Sequence, residues 1–147
     1  MSDKIQFEQQ CIQLGHRFVA GVDEVGMGCL AGPVVAAAVI LDLQNIPDGI
    51  DDSKKLTQKK RESLDLEIRS RALGFSLAFA SVEEIDQLNI FHAAKLAMVR
   101  AVQLLSPVAD FLLIDGKFPI PFSIPQKCLV KGDQLSASIG AASILAK

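Results

Sequence analysis

Residues 18–41, FVAGVDEVGMGCLAGPVVAAAVIL, decide how this chain folds. Phe18 to Glu24 reads as one strand and Pro33 to Leu41 as a second, joined by a glycine-rich turn. The second run holds only Val, Ile, Ala, Leu and Pro, the composition of a strand buried on both faces. So short a link makes the two strands antiparallel. Inside this apolar stretch stand two adjacent carboxylates, Asp23 and Glu24. Charge beside a core is costly unless something binds it.

Working outward, residues 3–15 predict a short helix with Ile5, Cys11 and Leu14 as its apolar positions. Residues 41–54, LDLQNIPDGIDDSK, form a loop by their Pro, Gly, Asn and Asp content. Thr57 is the expected N-cap of a charged helix to about Ala72, in which Leu64 and Ile68 stack four apart. Gly74 to Ser81 is a third strand. Ser81 and Glu84 form a capping-box pair for a short helix ending near Leu88, and Asn89 caps a longer one that Ser106-Pro107 ends. The segments DFLLID (110–115) and KCLVKG (127–132) are further strands around a proline-broken loop. Residues 133–147, rich in Ala, Ser and Gly, predict a final helix suited to close packing on a sheet. Three strands followed by alternating helices and strands imply an α/β fold: a mixed sheet, its first three strands antiparallel, covered by helices.

Composition bounds the remaining choices. The chain has 147 residues, half of them hydrophobic, which suits a single domain with a real core. No apolar run reaches membrane-helix length, and MSDKIQFEQQ lacks the basic start and apolar block of a secretory signal. Cys11, Cys29 and Cys128 show no metal-ligand spacing and read as reduced thiols of a cytoplasmic protein. The net charge of −2 does not announce a nucleic-acid binder, although KKLTQKKR (54–61) is a local basic run that also fits a solvated helix face. With no Trp or Tyr, aromatic contacts to a base fall to Phe or His.

Four acids lie where regular elements begin or end. Asp23 and Glu24 close the first strand, Asp115 closes FLLI, and Asp133 opens the last helix. In an open α/β sheet, such ends around one edge are where sites assemble. Alternation along a strand sends Asp23 and Glu24 to opposite faces unless the strand distorts there. Gly26 and Gly28 supply that freedom. Carboxylates without histidine or cysteine partners select hard cations, Mg2+ or Mn2+. Two such ions about 3.5–4 Å apart can clamp a phosphodiester. A plainer reading stands beside this one: Asp115-Gly116 is a common turn pair, and Asp133 a good N-cap. GMGCLAGP lacks the Gly-Lys-Ser/Thr ending of a P-loop.

Together the stretches GVDEVGMGCLAGPVVAAAVIL, DDSKKL, ASVEEIDQLNIFHAAKLAM, FLLIDGK and CLVKGDQLSASIGAASILAK resemble the ribonuclease HII (type 2 ribonuclease H) family, in family order from residue 18 to residue 147. The resemblance implies a ribonuclease H-like fold and a divalent-metal-dependent endonuclease. Its substrates would be RNA–DNA hybrids and duplex DNA containing ribonucleotides, incised on the 5′ side to leave a 3′-hydroxyl and a 5′-phosphate. It assigns catalysis and metal binding, with a two-metal Mg2+ or Mn2+ site, to Asp23, Glu24, Asp115 and Asp133. It assigns substrate contacts to Gly26, Met27, Gly28, Ser53 and Lys54. Two departures are visible. Met27 stands where the family usually has arginine. The family also continues past ASILAK with further helices and a tyrosine that packs on the DNA. Residues 1–147 are therefore expected to be one catalytic domain, C-terminally truncated relative to the family. The alternative is a catalytically impaired nucleic-acid- or metal-binding fragment of it.

Overall fold

The apolar run after the glycine turn becomes an interior strand of a sheet. In the computed structural model, which describes residues 3–26, 32–50 and 55–147, β1 (Val19–Val25) pairs antiparallel with β2 (Val34–Ile40), which pairs antiparallel with β3 (Gly74–Ala80). β4 (Phe111–Asp115) adds to the other side of β1 in parallel, and β5 (Gln126–Leu129) adds in parallel to β4. The order is β3-β2-β1-β4-β5, the mixed sheet expected, with its first three strands antiparallel. β2, buried almost throughout, lies one strand in from the edge.

Helices cover both faces. Alternate residues such as Val22, Ala38 and Ile114 pack under α3 (Val82–Gln103) through Ala97 and Met98. The opposite set, Ala37 and Val39, packs under α2 (Gln58–Arg71) through Leu64 and Ile68, and under α5 (Ala137–Ala146) through Ala141 and Ile144. α5 approaches β1 so closely that a Cβ on Gly21 would lie 2.2 Å from the Ser138 carbonyl carbon. Only glycine fits there.

The local signals act as expected. Thr57 Oγ1 accepts the Lys60 N–H at 3.2 Å and starts α2. Ser81 and Glu84 form a complete capping box. Asn89, at φ 68°, kinks α3, and its Oδ1 accepts the His92 N–H at 3.1 Å. Arg100, beyond the kink, binds both Glu84 carboxylate oxygens, at 2.7 and 2.6 Å, and ties the two halves of α3 together.

Three expectations need correction. The N-terminal helix is a 3-10 turn (Asp3–Ile5) followed by α1 (Gln6–Gln13), and Leu14 is not an apolar contact: it caps α1 and is 78% exposed, whereas Ile5 and Cys11 are buried. The last helix is two helices, α4 (Gly132–Leu135) and α5, because Ser136 takes an extended conformation and caps α5 by accepting the Ile139 N–H. Asp133 is consequently no N-cap. It sits within the first turn of α4, which follows Lys131 in a left-handed conformation.

Candidate functional site

The parallel pairing of β1 with β4 brings the acids together. Its register runs from Val19↔Phe111 to Val22↔Ile114, so the next residues along, Asp23 and Asp115, end up side by side at the same edge of the sheet. β1 continues its regular pairing with β2 through Val25, so no bulge turns Asp23 and Glu24 to one face. Glu24, opposite Ala36, belongs to the α3 face; Asp23, opposite Ala37, belongs to the α5 face. The convergence comes from Asp115 instead. It lies at the strand's end, and its charge acts on both.

The cost of this arrangement is visible. Asp23 is 6% exposed. Burial, then the charges of Asp115 and Glu24, push its carboxyl from the usual 3.8 up to about 9. Glu24 is raised as well, by burial first and then by Asp115, while Lys95 pulls it down. Its Oε2 is buried without a hydrogen-bond partner among the described residues. Backbone donors satisfy only part of the cluster: Asp23 Oδ1 accepts the Glu24 N–H at 2.8 Å, and Asp115 Oδ1 accepts the Gly132 N–H at 2.7 Å.

That last bond places Asp133. Half-buried, it follows Gly132 directly and so adjoins Asp115 through the backbone. The charges that shift Asp23 and Glu24 do not include it. Among the described residues, no three His, Cys, Asp or Glu side chains already stand in an arrangement ready to hold a metal ion. An orphaned buried oxygen and a carboxyl held protonated by burial and by its charged neighbours are nevertheless the features a hard divalent cation would relieve. The donor set fits such an ion.

Of the expected substrate-contacting residues, Gly26 is described and adopts φ +111°, where a Cβ would meet the Pro33 carbonyl oxygen at 2.9 Å. Met27, Gly28, Ser53 and Lys54 lie outside the described residues. Lys95 escaped the sequence reading. It is half-buried on α3, its Nζ donates to the Phe118 carbonyl at 2.6 Å, and its charge acts on Glu24 and Asp115. Only its place on the α3 face beneath Glu24 reveals it. Cys11 and Cys128 are free thiols, and no helix among the described residues is long and apolar enough to cross a membrane.

Comparison with known proteins bears on this geometry. A family model described as Ribonuclease HII matches residues 20–147. The chain is 54% identical over 144 residues to a ribonuclease HII of Ruegeria sp. (strain TM1040), covering 97% of this chain and 62% of that protein. It is 50% identical over 145 residues to a ribonuclease HII of Pelobacter propionicus, covering 99% of this chain and 66% of that protein. Thus it spans just under two thirds of the length of these relatives. Among solved structures, ribonuclease H2 of Pyrococcus horikoshii superposes with a TM-score of 0.78 at 25% identity, over 88% of this chain and 70% of that one.

Proposed function

Because the chain belongs to the ribonuclease HII family, we propose that it is a divalent-metal-dependent endonuclease that hydrolyses the RNA strand of RNA–DNA hybrids. The same reading has it incise on the 5′ side of ribonucleotides embedded in duplex DNA, leaving a 3′-hydroxyl and a 5′-phosphate. The observation that carries the proposal is the mutually repelling group of buried Asp23 and half-buried Glu24 and Asp115, with the Glu24 Oε2 unpartnered among the described residues. Nothing in the core needs three carboxylates at one point, and a cation does.

Asp23, Glu24, Asp115 and Asp133 would hold the ions, Mg2+ or Mn2+. A bound pair of such ions supplies water activation and charge neutralisation at the scissile phosphate. The chain's own residues set the frame. β1 holds Asp23 and Glu24 in a regular strand, paired with β2 through both residues and with β4 up to Val22. Asp115 is steered by the Gly132 N–H, which leaves its other oxygen for the ion. Lys95 offsets part of the negative charge from the α3 side. Gly26 begins the turn that, with Met27 and Gly28, would bring backbone amides to the 2′-hydroxyl, the group that separates RNA from DNA. Ser53 and Lys54 would grip the phosphate backbone and fix register without reading bases.

The test is a cleavage assay on an RNA–DNA hybrid and on a duplex with one embedded ribonucleotide, in Mg2+ and in Mn2+. The expected outcome is cation-dependent incision 5′ of the ribonucleotide, reduced at least about 100-fold by Asp23→Asn. No incision in either cation, or incision indifferent to Asp23→Asn, would refute the assignment.

A further inference from the structure

A second acidic residue is buried away from the three clustered carboxylates, and it has no place in the proposed chemistry. Glu8, on α1, is 1% exposed. Its Oε2 accepts the Ser136 hydroxyl at 2.8 Å and the Ser138 N–H at 2.9 Å, the latter in the first turn of α5. Its Oε1 and the Ser138 hydroxyl are both buried without a hydrogen-bond partner among the described residues. Core packing alone would be served better by an apolar side chain here. The residue lies outside the stretch matched by the family model, which begins at residue 20.

What Glu8 holds is the corner between α4 and α5. Ser136 donates its N–H to the Gly132 carbonyl at 2.8 Å, its hydroxyl to Glu8, and accepts the Ile139 N–H. Gly132 reaches Asp115, and Asp133 follows it. On the other side, the Ser138–Ile139 peptide rests on Gly21, two residues before Asp23. One carboxyl therefore braces the segment that carries Asp133 and touches the strands that carry the other three acids. An acidic group at the N-terminal end of the ten-residue α5 also suits the helix dipole.

We propose that Glu8 is a positioning residue that fixes the α4–α5 corner and through it the placement of Asp133 against Asp115 and Asp23. Its consequence for the cation rests on the metal-binding reading above; its hold on the corner does not. Hydrogen–deuterium exchange and Mn2+ titration calorimetry on the whole chain, with Glu8→Gln, Ser136→Ala and the double variant, separate the two. Exchange at residues 132–139 should quicken about tenfold in each single variant while β1–β3 keep their protection. The Mn2+ dissociation constant should rise about tenfold in each, and the double variant should be no worse than either, because both changes break one linkage. Wild-type protection at 132–139 in a folded Glu8→Gln overturns the proposal. So does unchanged Mn2+ affinity in both single variants of a chain that binds Mn2+, or effects that multiply in the double variant. A wild-type chain that fails to bind Mn2+ at all refutes the metal reading, and the exchange pattern then decides the role of Glu8 alone.

Discussion

Asp23 is where the energetics of this protein are most exposed. Its carboxyl holds a proton up to about pH 9 in the folded chain, against an ordinary value of 3.8. Between those limits the folded state binds a proton that the unfolded state has released. Stability linked to this group is therefore full below about pH 4 and declines as pH rises toward 9, with a slope no steeper than about 1.4 kcal/mol per pH unit. A divalent cation reverses the trend, since it replaces the proton and favours the ionised form. Thermal unfolding across this range should show Tm falling with pH in EDTA, and the increment from excess Mg2+ growing with pH. An increment that is constant or shrinks would mean that the cation does not act at this carboxyl. Asp23 and Glu24 were legible as candidates because charge in an apolar strand is conspicuous. Glu8 and Lys95 were not. Each looks like an ordinary surface residue of an amphipathic helix until the sheet shows what lies beneath it.

At the scale of elements, the site depends on α5 lying against β1. Gly21 permits that contact, since its missing Cβ is the space in which the Ser138 carbonyl carbon sits. Gly21→Ala should destabilise the fold by about 3 kcal/mol, through strain in a packed interface rather than loss of burial. Urea unfolding measures it, and a change below about 0.5 kcal/mol would show that the helix is free to retreat. Most elements were readable because their signals are local. Thr57, the Ser81–Glu84 pair and Asn89 each cap the helix that follows them, and the Val/Ala run of β2 is buried as its composition demands. The failures have separate causes. Ser136 breaks the last helix because Glu8, 128 residues away, takes its hydroxyl. Leu14 is exposed because α1 ends one residue before it. The first is settled by a long-range contact that no window of sequence contains, the second by a local helix end.

Across the whole molecule, the parallel β1–β4 pair is the organising feature. Antiparallel neighbours alone would leave Asp115 remote from Asp23; the parallel register brings the two strand ends level, and Asp115 then serves both faces of β1. Gly132 extends the cluster by one step to the segment of Asp133. The sequence pointed to this topology through the order of its elements, but the distance between strand ends is a property of the folded sheet. The central claim is that these carboxylates form one cation site. Anomalous diffraction from crystals of the chain grown in Mn2+ tests it most directly. The account predicts density bounded by Asp23, Glu24 and Asp115, weakened or lost in Asp115→Asn. Density at another place, or none at these carboxylates, would contradict it.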